Sequence, residues 1–292
     1  MYSSPSTTAR LLITCLDQPG IVYHVTEFLF QYGANITMLD QYTTDPIHGT
    51  FFMRLEFETV HLTLSSAQLS SCFATQVAKP FNLQWQINFA STHKKMAIFV
   101  SRHDHALMEL LWRWSRKELA MDIPCIVSNH PDLAHFAKSF SVPFYHIENY
   151  PAIKTTAEQQ MLALLTEQEV DGIILARYMQ ILSPEFIQYF EHNIINIHHS
   201  FLPAFVGADP YRQAHHKGVK LIGATAHYVT SELDMGPIIE QDVIRVSHRL
   251  GPKQLQVLGM DIERQVLARA VKWYLQDRII VYENKTIVFD AH

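Results

Sequence analysis

Over the first ninety residues, apolar positions recur with two alternating periods. Arg10–Leu16 reads as an apolar strand, Asp17-Gln18-Pro19-Gly20 as a turn, and the stretch from Gly20 to Tyr32 as a helix whose apolar stripe is Ile21, Val25, Phe28 and Leu29. Asn35–Tyr42 and Thr50–Glu58 then read as paired strands across a turn at Pro46–Gly49. Ser65 with Gln68 makes a capping box for a helix running to about Ala78, and Leu83–Phe89 alternates as a last strand. The predicted order is βαββαβ, a first domain over residues 8–89.

A polar linker, Ala90 to Lys95, separates this from a second rhythm. Strands at Met96–Val100, Ile123–Val127, Phe144–His146, Gly172–Ala176 and Ile194–His198 alternate with helical segments. Those helices run to about Leu119, lie near Pro131–Phe140, start at a Thr156–Gln159 cap, and start again at Ser183-Pro184-Glu185, an N-cap with a proline in the first turn. Strands Leu221–Val229 and Pro237–Val246 and a long amphipathic helix near Pro252–Gln276 follow. Alternation of this kind predicts an α/β domain with a mostly parallel sheet wrapped by helices over residues 95–292.

Composition narrows the setting. With 292 residues, 48% of them hydrophobic, the chain is long enough for two full cores. A formal charge of −5 gives no general attraction to nucleic acid or anionic membrane, so neither is expected as a partner. Cys15, Cys72 and Cys125 are odd in number, far apart and without metal spacing, as reduced thiols are. The Ser- and Thr-rich start lacks a basic-then-apolar signal pattern and no apolar run spans a bilayer, which together predict a cytoplasmic protein.

The candidate chemistry sits where the polar residues resume after Ile194–His198. Asn196 and His198, two apart on a strand, point the same way, and the Glu-Leu-Asp-Met-Gly turn after Leu221–Val229 can bring Asp234 back beside them. Amide, imidazole and carboxylate together suit attack on a carbonyl: two hydrogen-bond donors for an oxyanion and a carboxylate that raises imidazole basicity. Spacing alone equally allows Asn196 as a strand cap, His198 as a core histidine and Asp234 as a turn residue. The 17 histidines raise a metal reading through His198, His199, His215, His216, His227 and Asp234. Adjacent pairs project in different directions and no His-Glu-x-x-His motif is present, so no metal is expected.

The run Asn196-x-His198-x-Ser200-x-Leu202-Pro203, followed by His227-x6-Asp234, resembles the signature of the formyltetrahydrofolate-dependent formyl-transfer enzymes. That group comprises glycinamide ribonucleotide and methionyl-tRNA formyltransferases and the formyltetrahydrofolate deformylases. The Asn-Ile-His-His-Ser-Phe-Leu-Pro-Ala-Phe wording looks most like the deformylases. The resemblance implies a Rossmann-like formyltransferase fold and hydrolysis of 10-formyltetrahydrofolate to formate and tetrahydrofolate, supplying formate for one-carbon metabolism and purine synthesis. No cofactor beyond the folate substrate is implied. Asp234 and His198 would deprotonate a water, Asn196 and His198 would steady the oxyanion, and Met179, Gln180, Leu182, Ser200, His227 and Val229 would contact the substrate. Gln180 departs from the arginine frequent in the family, and Asp209 from a frequent basic residue.

Ribonucleotide formyltransferases carry a Gly- and Asn-rich loop after the first strand of this domain, whereas here the turn is Ser101-Arg102-His103-Asp104-His105. Bulky side chains there predict a plug that admits water and excludes a ribonucleotide. In the first domain, Asp17-x-Pro19-Gly20-Ile21 and Asn35-Ile36 resemble an ACT domain, which has a ferredoxin-like fold. This implies an amino-acid effector at Asp17, Gly20, Ile21 and Asn35, its carboxylate at the first helix's N-terminus between two copies, and hence a homo-oligomer. A module that only dimerises is the alternative. For the whole chain the alternatives are a formyltransferase serving a small amine such as glycinamide ribonucleotide, and a non-catalytic folate or amino-acid sensor.

Overall fold

The structure is a computed structural model that describes residues 7–45, 47–204 and 209–289. Pro46 of the expected turn lies outside the described residues. The chain divides into two compact units, one extending to His93 and joined by Asp277–Ile280 and the segment from Ile287, the other formed by Lys94–Gln276 with Val281–Thr286.

The first unit follows the predicted order. Strands β1 (Thr8–Leu16), β2 (Asn35–Thr43), β3 (Thr50–Glu58) and β4 (Gln84–Phe89) form an antiparallel sheet in the order β2-β3-β1-β4. Helices α1 (Ile21–Gln31) and α2 (Ser66–Phe73) pack on one face. The reason is the strand period of two: Ala9, Leu11, Ile13 and Cys15 of β1 and Phe51, Met53, Leu55 and Phe57 of β3 share one face. They are buried with Ile21, Val25, Phe28 and Leu29 of α1 and Leu69 and Phe73 of α2. Leu11 pairs with Leu55 on one side and Ile87 on the other, and a one-residue slip would turn that whole set to the opposite face. The Ser65–Gln68 capping box forms as expected. The single helix predicted to about Ala78 is instead divided into α2, a π-helical segment Ala74–Ala78 and a last turn α3 (Lys79–Phe81). Pro80 has no N–H to return to the turn before it, which accounts for the break in the regular ladder.

On the opposite face of this sheet, charge replaces apolar packing. Arg10 Nε and Arg54 Nη2 reach Glu56 Oε2 at 3.2 and 3.1 Å. Asp277 Oδ2 accepts from Arg10 Nη1 at 3.2 Å, its Oδ1 from Asn88 Nδ2 at 2.7 Å, and its carbonyl from Arg54 Nε at 3.0 Å. Arg54 is 1% exposed, so this is an interior network.

In the second unit, β5 (Lys94–Val100), β7 (Ile126–Ser128), β8 (Phe144–His146), β9 (Gly172–Ala176) and β10 (Ile194–His198) are parallel. Strands β11 (Leu221–Tyr228) and β12 (Ile238–Arg245) add an antiparallel edge, giving the order β12-β11-β10-β9-β5-β7-β8, with β6 (Met121–Asp122) beside β5. Helices α4 (His105–Ser115), α5 (Ala134–Ser139), α6 (Lys154–Glu167), α7 (Pro184–Tyr189), α8 (Pro210–Lys217) and α9 (Pro252–Leu275) cover it. A hairpin, β13 (Ile279–Tyr282) and β14 (Lys285–Val288), which the periodicity does not predict, follows α9. Of the strand expected over Ile123–Val127 only the end, from Ile126, is strand, in β7; β6 ends before it at Asp122, and Pro124, which cannot donate to a ladder, lies between the two. Helix α6 starts two residues before the expected Thr156 cap, because Ala157 N–H already bonds the Ile153 carbonyl at 2.9 Å. Among the described residues, no helix is long and apolar enough to cross a membrane.

Removing one partner from a buried charge network leaves the others undercompensated. Asp277→Ala is expected to destabilise the protein by on the order of 3 kcal/mol, read from the urea midpoint with secondary structure retained; an unchanged midpoint would refute a structural role for the network.

Candidate active site

The site forms at the carboxyl end of β10, where Ile195 and Ile197 are buried on one face and Asn196 and His198 share the other. Antiparallel register with β11 sets Asn196 opposite His227. Asn196 Nδ2 lies 3.2 Å from His227 Nε2, and His227 Nδ1 lies 2.8 Å from the Tyr228 carbonyl. A carbonyl only accepts, so Nδ1 carries the proton of the neutral ring and Nε2 accepts from Asn196. The amide is thereby oriented, with one N–H still available.

Asp234 closes the group. It lies in the turn after β11 with φ 57°, a left-handed conformation, and Gly236 allows the close approach that this needs because a Cβ there would overlap the Tyr228 carbonyl. Asp234 Oδ2 is 3.2 Å from His198 Nδ1 and Oδ1 is 3.7 Å from His227 Nε2. Burial on its own would raise the Asp234 carboxyl, but the hydrogen bond from His198 outweighs it and holds the group well below the usual carboxylate range. Since the carboxylate accepts, His198 Nδ1 donates and Nε2 holds the lone pair; that Nε2 is buried without a hydrogen-bond partner.

The other predicted residues distribute around this centre. His227 joins Asn196 and Asp234 directly. Met179 is 53% exposed, and its N–H donates to Ser101 Oγ at 3.0 Å, tying the loop after β9 to the end of β5. Gln180 is half-buried in that loop, while Leu182 is part of the core under it. Ser200 is buried, donating to the Ala204 carbonyl at 2.8 Å while its own carbonyl accepts from Thr225 Oγ1 at 2.9 Å. Val229 packs against the core and its N–H bonds the Ile194 carbonyl at 2.9 Å. Asp209 caps α8, accepting from Arg212 N–H at 3.3 Å. Among the described residues, no three His, Cys, Asp or Glu side chains group as a metal site would require.

A buried cluster that sequence reasoning missed borders the first turn of this unit. Glu263, fully buried on α9, accepts from His105 Nε2 at 2.8 Å and Tyr211 Oη at 2.6 Å, and Arg177 Nε stands 3.5 Å from its Oε2. Burial alone would raise the Glu263 carboxyl, but His105 and Arg177 outweigh it and keep it low. Within the proposed plug, His105 thus turns inward, while Ser101 donates to Asn129 Oδ1 at 2.7 Å. The signal available in the sequence was a glutamate next to Ile262 and three residues before Val266 on the apolar face of α9. Partners for it could not be chosen from spacing.

In the first unit, Gly20 is the left-handed N-cap of α1 with φ 95° and Ile21 is a core residue. Asp17 accepts from Thr43 Oγ1 at 3.3 Å. Asn35 instead hydrogen-bonds Glu58 at 3.1 Å, beyond the far end of α1, about 16 Å away by helical rise, so one copy does not bring Asn35 to Gly20.

Residues 94–271 match a family model described as formyl transferase and residues 9–61 one described as ACT domain. The chain is 51% identical over 281 residues to the formyltetrahydrofolate deformylase of Bacillus subtilis, covering 96% of this chain and 93% of that one. It is 36% identical to the Escherichia coli K12 protein of the same name, over 94% and 95% of the two chains. A crystal structure of a formyltetrahydrofolate deformylase from Pseudomonas syringae superposes with a TM-score of 0.94 at 44% identity, covering 97% and 94%. A phosphoribosylglycinamide formyltransferase from Anaplasma phagocytophilum superposes at 0.63 with 29% identity, covering 69% and 97%.

The site's pH behaviour has a definite sign. Because the folded Asp234 pKa is depressed, its contribution to stability is present above the ordinary value of 3.8 and is lost as pH falls through the folded value. Asp234→Asn is therefore expected to lower the urea midpoint at neutral pH, with the gap from the parent protein narrowing below pH 3.8. A pH-independent gap would contradict an ionised, paired Asp234.

Proposed function

The chain belongs to the formyltetrahydrofolate deformylase family and hydrolyses 10-formyltetrahydrofolate to formate and tetrahydrofolate; from that premise we propose how its residues carry the reaction. His198 acts first as base: with Nδ1 committed to Asp234, Nε2 takes a proton from the attacking water. The remaining Asn196 N–H meets the oxygen of the formyl group as it becomes an oxyanion. Protonated His198 then returns its proton to the departing folate nitrogen, while Asp234 stabilises the imidazolium between the two transfers. His227 acts through Asn196 and Asp234 and is a positioning residue. This route draws on no group beyond folate and water.

The observation that carries this reading is the buried His198, held by a carboxylate at one nitrogen and without a partner at the other. The loop Arg177–Leu182, anchored through Met179 N–H to Ser101, offers backbone groups for the pterin. Asp234→Asn should fold yet lose on the order of 10²-fold or more in kcat, and Asn196→Ala a comparable factor with KM for the folate little changed. The assay is formate release from 10-formyltetrahydrofolate with no amine added; turnover only in the presence of an amine would instead select a formyltransferase.

For the ACT domain we propose a regulatory site: an amino-acid effector whose carboxylate meets the N-terminus of α1 at Gly20, with Asn35 supplied by a second copy. The separation of these residues within one copy supports a homo-oligomeric site. Titrating the twenty amino acids against initial rate and thermal midpoint should give a shift for at least one, abolished in Asn35→Ala, and light scattering should show an oligomer. No shift for any of them would leave the domain as an assembly module.

A further inference from the structure

Hydrolysis and formyl transfer differ by one proton. When an amine accepts the formyl group, the proton it loses equals the one the leaving nitrogen gains, and the balance closes through a single base. When water attacks, its oxygen bonds the formyl carbon, one proton passes to His198, and the C–N electron pair leaves on the folate nitrogen, which takes that proton back. The product at this point is formic acid. Its remaining proton, on the former water oxygen, must still be removed to give formate.

His199 is the titratable side chain beside the catalytic histidine. It follows the catalytic histidine directly, its ring centroid is 5.3 Å from that of His198, and on its other side it is 6.0 Å from the ring of Tyr211. It makes no hydrogen bond to any described residue, and it is only partly buried, so a proton taken there can reach solvent. The charged and titratable groups acting on it come from both sides: His198 and Asp234 from the catalytic pair, Arg177 and Glu263 from the buried cluster, with Tyr211 between. The buried side-chain nitrogens without hydrogen bonds among the described residues also collect on these two groups, at His198 Nε2, His105 Nδ1 and Arg177 Nε and Nη1.

We propose that His199 is the second base of the reaction, taking the last proton from the newly formed formic acid and passing it to solvent, with Tyr211, itself held by Glu263, beside its ring. Formate leaves as an anion and His199 returns to the neutral ring. The environment fits an acceptor that empties after each turnover. Burial first, and the Arg177 charge next, push the His199 imidazole down to about 3, close to a carboxylic acid's value of roughly 4, so the transfer is nearly balanced and the ring does not stay protonated. The inference rests on the deformylase reading and adds a residue that a transferase would not need.

The test compares His199→Ala and His199→Gln with the unsubstituted protein in the amine-free formate assay, with thermal midpoints recorded. Both variants should lose on the order of 10²-fold in kcat with KM for the folate unchanged. Their kcat should climb with pH as hydroxide replaces the missing base, and added imidazole should restore the alanine variant in a concentration-dependent way. Glutamine keeps hydrogen bonding without basicity and also serves if the alanine variant does not fold. Normal kcat in a folded variant, full activity in the glutamine variant, or a loss that neither imidazole nor higher pH relieves would overturn the proposal. Formate release by the unsubstituted protein tests the deformylase reading separately, and its absence would overturn both.

Discussion

A carboxylate taken out of water must be paired or it will not stay ionised, and three of them shape this protein. The desolvation cost is several kcal/mol per ion, so each buried carboxylate recruits donors until its oxygens are occupied. Asp234 takes the Nδ1–H of His198, with the His227 ring 3.7 Å from its other oxygen. Glu263 recruits His105, Tyr211 and Arg177, and Asp277 recruits Arg10, Asn88 and, through its carbonyl, Arg54. The donors are fixed by the acceptor they satisfy, which is how an interior electrostatic demand becomes a geometric specification.

At Asp234 that specification produces chemistry. Two imidazoles lie against one carboxylate with different commitments: His227 donates to a backbone carbonyl and accepts from Asn196, whereas His198 donates to Asp234 and keeps Nε2 without a hydrogen-bond partner. One ring is committed at both nitrogens and the other at one. The sheet contributes the framework, because parallel strands place their carboxyl ends in one plane and the antiparallel β11 then folds its following turn back over the end of β10.

At Glu263 the same demand fills space. Inward-turned His105, with Arg177 and Tyr211, occupies the flank of the site with side chains already committed to one another. A buried ion pair of this kind is costly to open, so the flank is a wall rather than a pocket, and Gly259 on α9 is what leaves room for Tyr211, since a Cβ there would overlap its hydroxyl.

Much of the architecture was legible along the chain, because period and punctuation are local properties. The bounds of β3, β8, β9 and β10 follow the predicted stretches, and the Ser65–Gln68 and Ser183 caps form where their sequences place them. Misreadings fall at Pro80 and Pro124, where a missing N–H interrupts a pattern whose apolar positions continue, and at Thr156, where helix propagation from Ile153 overrode a capping signal. Asn196, His198 and Asp234 were visible as a motif because two lie on one strand face and the third on the next turn. Only the tertiary structure decided that His227 reaches Asn196 and Asp234, that Asn35 stands apart from Gly20, and that Glu263 gathers partners from three distant segments. The Asn196–His227 and Glu263 contacts span 31 residues or more, are selected by the need to satisfy buried polar atoms, and no periodicity in the chain records which donor a buried acceptor will find.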